Sequence, residues 1–151
     1  GGQSATKGYL IAGNNGVVTT AMQSFAFSTE TAAVLAATTA NNQETATNFS
    51  SSLKTYTAGG RWYNGSIYIY IGIYALTHTT ELSATLGATL SANFWGGAGA
   101  SNALFGYALG GHNGVSALNT IQTLSFSAET AATIASVLPV AGYDNQAVSN
   151  S

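Results

Sequence analysis

Three Asn-Gly dipeptides stand at Asn15-Gly16, Asn64-Gly65 and Asn113-Gly114, two equal steps of 49 residues in a chain of 151. Each follows a tyrosine and a run of small residues: Gly8-Tyr9-Leu10-Ile11-Ala12-Gly13, Tyr56-Thr57-Ala58-Gly59-Gly60 and Gly106-Tyr107-Ala108-Leu109-Gly110-Gly111. Each is followed by a glutamate in a Ser/Thr setting, at Glu30, Glu81 and Glu129, and then by AAVLAAT, LSATLGAT or AATIASV. Three landmarks recurring in register three times define a tandem repeat, and a repeat of this period constrains the fold more than any single segment does.

Within one copy the sequence predicts four strands. The first carries the tyrosine and runs into the glycines. Asn-Gly predicts a two-residue hairpin turn, since both positions tolerate positive φ. The second strand is expected over residues 17–27, 66–76 and 115–126. In the middle copy it reads Ile67-Tyr68-Ile69-Tyr70-Ile71-Gly72-Ile73-Tyr74, where a period of 2 sets isoleucines on one face and tyrosines on the other. Neither face suits water, so both are expected to pack. The glutamate segments are turns. A third strand is expected over 33–38, 84–89 and 132–138, and a fourth over 44–50, 93–98 and 145–149. The Ala-rich third segments have helical propensity, but Thr, Val and Ile interrupt them within a strand-rich frame, so strand is the reading.

Composition narrows the function. The formal charges number eight: Lys7, Glu30, Glu44, Lys54, Arg61, Glu81, Glu129 and Asp144. Three basic residues cannot neutralise a phosphate backbone, which argues against nucleic acid as a partner. The absence of cysteine removes disulfides and thiolate metal sites. The longest apolar run, Ile67–Leu76, is about half of what a membrane-spanning helix needs, so no membrane insertion is expected. Hydroxyls and amides carry the solubility, as in β-rich extracellular or virion proteins.

About 40 to 50 residues with four strands per unit is the pattern of a propeller blade. The chain therefore reads as one all-β domain over 1–151, with repeats at approximately 5–53, 54–103 and 104–151. The order Gly-Tyr, small residues, Gly-Gly, Asn-Gly, an alternating strand ending Leu-Ser-Phe-Ser, then Ala-Glu-Thr-Ala-Ala resembles the kelch-like repeats of bacteriophage tail and virion-associated proteins. Residues 106–132 carry it most fully. The middle copy departs, with Arg61-Trp62 added before its turn and His78 where the others have Phe27 and Phe126. The resemblance implies a propeller with a structural or receptor-attachment role on a virion or outside the cell, and no enzyme activity. Rings typically need 4 to 8 blades. Three imply a homo-oligomer, with two chains making six blades as the favoured arrangement. Alternatives are a piece of a longer ring and a β-trefoil, although the Gln-x-Trp repeat of ricin-type trefoil lectins is missing.

No catalytic constellation emerges. His78 and His112 fall at different points of the repeat, Asp144 is the sole aspartate, and Gly96-Gly97-Ala98-Gly99 lacks the lysine of a phosphate loop. No cofactor is implied. Glu30, Glu81 and Glu129 suggest either a calcium ring or a structural turn, and repetition in every copy favours the turn. The ligand-binding candidates lie where a copy breaks the pattern: Arg61, Trp62 and Tyr63 beside the middle Asn-Gly, with Asn14 and His112 in the equivalent places. An aromatic ring with Arg, Asn and His donors is suited to a cell-surface glycan, while the same residues could pack a blade gap, a dimer contact or other virion proteins. Phe94-Trp95 and Tyr143-Asp144 break the pattern too and read as packing residues.

Overall fold

The computed structural model describes residues 1–14 and 17–144. The first Asn-Gly pair and the expected strand at 145–149 lie outside the described residues. The described chain is all-β and antiparallel. Its first four-stranded sheet runs in chain order through β1 (Gly2–Gln3), β2 (Lys7–Asn14), β3 (Val18–Ala26) and β4 (Thr31–Thr38). The second holds β5 (Thr47–Ser50), β6 (Lys54–Ala58), β9 (Gly72–Thr77) and β10 (Leu82–Thr89), interrupted by a separate hairpin of β7 (Arg61–Tyr63) and β8 (Ile67–Ile69). The third holds β11 (Ala98–Ser101), β12 (Phe105–Leu109), β13 (Thr120–Ser125) and β14 (Thr130–Val137). Among the described residues the strands close no barrel, which speaks against the trefoil alternative. The Ala-rich segments are strands, as expected, and form the exposed outer edge of each sheet.

The fourth strand is a correction. Thr47–Ser50 pairs with β6, and Ala98–Ser101 with β12, so each opens the next sheet rather than closing its own. A tight turn joins each short strand to its tyrosine strand. The Ser51 hydroxyl accepts from the amides of Leu53 and Lys54, and the Asn102 carboxamide from those of Leu104 and Phe105. Ser4 does the same for Thr6 and Lys7.

The continuous second strand expected over 66–76 is also corrected. It breaks at Tyr70 and Ile71 because groups outside the ladder claim their backbone. The Tyr70 amide donates to the Gly60 carbonyl, and the carbonyls of Ile71 and Tyr70 accept from Leu90 and Phe94. Ile67 and Tyr68 thereby reach solvent, while Ile73 and Tyr74 are buried. The expected two-residue Asn-Gly turns are wider as well. Gly65 (φ 100) and Gly114 (φ 97) take positive φ, and the asparagines do not. Asn113 instead accepts the amides of Val115 and Ser116 through its side chain.

All three sheets bend at one place. A step of two residues on the third strand meets a step of four on the outer strand: Ala21 to Gln23 against Thr38 to Val34, Gly72 to Tyr74 against Thr89 to Thr85, Thr120 to Gln122 against Val137 to Thr133. Such bulges raise the local twist.

The sheets stack face to face. Tyr9, Ile11, Met22 and Ala37 of the first cover Leu76 of the second. Tyr56, Ala58 and Ile73 of the second cover Ala108 and Leu124 of the third. Burying Leu76 completely contributes about 2 kcal/mol. The same ring stack marks both junctions: Tyr9 lies on His78 with centroids 5.3 Å apart, and Tyr56 on Phe126 at 5.3 Å. His78 thus substitutes for a phenylalanine as a stacking partner. Its Nδ1 donates to the Ser52 carbonyl (3.2 Å), and in the neutral ring its Nε2 accepts from the Thr55 hydroxyl (3.0 Å).

Burial pushes the His78 imidazole below its ordinary value of 6.5, partly opposed by the Ser52 carbonyl. The unfolded chain then binds the proton more readily than the folded one. Stability from this group is complete above pH 6.5 and is lost as pH falls through the depressed value. His78→Phe should flatten that acid-side loss relative to wild type in urea midpoints measured from pH 7.5 to 4.5. Parallel curves for the two proteins would refute it.

Candidate functional site

The positive-φ pair that ends each tyrosine strand, Ala12-Gly13 in the first sheet and two glycines in the others, sets up the site. Gly59 (φ 67) and Gly60 (φ 105), like Gly110 (φ 67) and Gly111 (φ 94), turn the chain sharply against neighbouring backbone, and the next residue points along a shared rim. That next residue is Arg61 or His112, and in the first sheet it is Asn14, the last residue of β2. Facing them is a segment just before each short strand, carrying Glu44 and Trp95. Backbone bridges pair Glu44 with Arg61 and Trp95 with His112.

The side chains form one continuous arc. Asn14 Nδ2 donates to Glu44 Oε2 at 2.8 Å, and Arg61 Nε lies 3.4 Å from Glu44 Oε1. The Arg61 guanidinium sits 4.1 Å from the centroid of the Trp95 ring. Trp95 and His112 are 5.0 Å apart, and Tyr143 meets both edge-on at 5.3 and 5.1 Å. His112 Nδ1 accepts the Gly114 amide. A second arc, of backbone, runs alongside: Gly96 donates to the Thr45 carbonyl, and Asp144 to the Gly96 carbonyl. All three residues hold positive φ.

Of the five candidates from the sequence, Asn14, Arg61 and His112 therefore come together. Trp62 and Tyr63 do not join them. They lie on the β7–β8 hairpin, where Trp62 stacks on Tyr68 at 5.6 Å, and Tyr63 is 62% exposed. Ile67, 62% exposed, lies beside them. Ile69 rests against Gly114 of the next turn, where a side chain on the glycine would collide with it. Sequence reasoning missed Glu44 as a site residue and assigned Trp95 and Tyr143 to packing. The available signal was their repeat phase, since all three occupy the same place in successive copies.

The arc holds its charge tightly. Arg61 covers Trp95, which is only 8% exposed, so that ring face is already occupied. The open aromatic surface is on the hairpin. Lys7 pairs with Glu81 and Lys54 with Glu129, each at 2.7 Å, so with Arg61–Glu44 every basic residue has a carboxylate.

Glu30, Glu81 and Glu129 close equivalent four-residue hairpin loops at φ 53, 51 and 49, a conformation that costs an L-residue about 1 kcal/mol. Their repetition is structural. Glu81 and Glu129 each latch one sheet to the preceding one through a lysine rather than through backbone donors, and at this exposure each pair contributes under about 1 kcal/mol. Burial, with the Glu129 carboxylate beside it, pushes the Tyr56 phenol up to about 12, so it stays a neutral donor to Glu129 at 3.2 Å. Among the described residues no three His, Cys, Asp or Glu side chains gather as a metal site.

No family model matches this sequence, and no curated protein matches it. Among solved structures the chain is similar to the structure of YjhT, with a TM-score of 0.75 at 12% identity over 93% of this chain. It spans about half, 52%, of that chain's length. The likeness is one of fold.

Proposed function

We propose that the three four-stranded sheets are blades of a β-propeller of kelch-like type, and that the chain is a non-enzymatic structural or receptor-attachment module of a virion or of the extracellular space. The observation that carries the reading is the β7–β8 hairpin. Among the described residues it interrupts the middle unit alone, and it presents Tyr63, Ile67 and Tyr68 to solvent at 62, 62 and 48% exposure. Large apolar side chains grouped on one projecting hairpin are suited to docking on a partner surface. The arc beside it is tied together from within, Glu44 accepting from Asn14 and lying 3.4 Å from Arg61 Nε. Antibodies to the chain should decorate the particle fraction of the producing culture, and Tyr63→Ser with Tyr68→Ser should release the chain from that fraction while leaving its melting temperature within about 2 °C. Finding the protein only as a free soluble species overturns this.

A second reading rests on the stacked Trp62–Tyr68 pair, an aromatic ledge suited to a sugar ring, which would make the chain a secreted lectin. Robust signal on a glycan array, abolished by Trp62→Ala, transfers the conclusion to that reading. A blank array removes it.

A further inference from the structure

We propose that the open face of the third sheet docks head to tail on the open face of the first sheet of a second copy, and that two such junctions close a ring of six sheets. This rests on the propeller reading and adds the partner and the contact residues.

Both junctions inside the chain follow one template. A tyrosine of one sheet stacks on a ring of the next, Tyr9 on His78 and Tyr56 on Phe126. Beneath each stack lies a leucine of the following sheet, Leu76 at 0% and Leu124 at 1% exposure. The third sheet carries the tyrosine in the same place, Tyr107, followed by Leu109 and with Ile121 across the strand pair, but among the described residues no following sheet covers them. The first sheet carries the complementary half. Phe25 and Phe27 occupy the positions of Leu76/Leu124 and of His78/Phe126, yet are 43 and 46% exposed, and Leu10, in the place of buried Ala108, is 55% exposed. The two ends thus retain the apolar half-sites of the buried junctions although each faces water. Tyr107 of one copy over Phe27 of the next completes the template.

Two further observations name a second copy as the occupant. The backbone arc Thr45–Gly96–Asp144 advances by one donor and one acceptor per sheet, so the Asp144 carbonyl of one copy is in phase to accept the Thr45 amide of the next. The chain also spans 52% of the fold it resembles, which leaves room for one more set of three sheets. A head-to-tail contact of this kind closes when its rotation divides the circle.

One element of the template changes. The lysine position of the third sheet holds Phe105, and Glu30, its counterpart on the first sheet, has no ion pair among the described residues. The intermolecular junction is therefore aromatic where the internal ones are ionic, and high salt should not loosen it.

Sedimentation equilibrium at 0.1 and 1 M NaCl should give twice the 15.3 kDa chain mass at both salt concentrations. Phe27→Lys and Tyr107→Glu should each weaken dimerisation by about 30-fold or more, the scale of an interface hot spot, with unchanged circular dichroism. Mixing the two variants should restore a dimer, because one junction is then wild type and the other pairs opposite charges. A monomeric wild type at 100 μM, a closed species of another size, or variants that dimerise like wild type overturn the proposal. A monomer leaves the attachment reading standing, since particle labelling and the array test that separately.

Discussion

Gly59→Ala should unfold the protein or lower its stability by roughly 3 kcal/mol or more. Gly59 holds φ 67, where an added Cβ costs about 1–2 kcal/mol in backbone conformation alone. That Cβ would also overlap the carbonyl oxygen of Phe94 and press on Leu90 Cδ1 at 3.2 Å. The Phe94 carbonyl cannot yield, because it accepts the Gly60 amide at 2.8 Å and so holds the site rim to the second sheet. The first sheet supplies the control. Ala12 occupies the equivalent place at φ 55 and already bears the strain, so Ala12→Gly should leave stability unchanged or raise it by up to about 1 kcal/mol. Urea denaturation midpoints of the two variants moving in the same direction would contradict the shared geometry.

Gln43→Met should raise stability by about 1–3 kcal/mol, or roughly 3–10 °C in melting temperature for a domain of this size. Gln43 is completely buried, and both atoms of its carboxamide lack a hydrogen-bond partner. The equivalent position in the second sheet is Phe94, an apolar core residue at 0% exposure. Methionine keeps the volume and removes the unpaired donor and acceptor. A lower melting temperature by calorimetry would mean that the amide is satisfied in solution and belongs to the arc of Asn14, Glu44 and Arg61 as a working part.

The candidate site was legible only in halves. Asn14, Arg61 and His112 follow the glycines in every copy, and that regularity is visible in the chain itself. Their partners Glu44, Trp95 and Tyr143 share a repeat phase but differ in residue type, and only the return of the chain past the glycines brings them within reach. Trp62 and Tyr63 looked like members of the same group because they adjoin Arg61 in sequence. A separate hairpin carries them away.

The strand state of the Ala-rich segments and the turns at Glu30, Glu81 and Glu129 were determined by the sequence alone, because alternation, turn residues and spacing are local properties. Tertiary structure decided how those strands were shared out. Thr47–Ser50 opens the second sheet because the Ser51 turn folds it back on β6, and the strand through Tyr70 breaks because the Gly60 carbonyl takes the amide that the ladder would have used. Each backbone group has one partner, and which distant group reaches it first is settled only when the sheets stack.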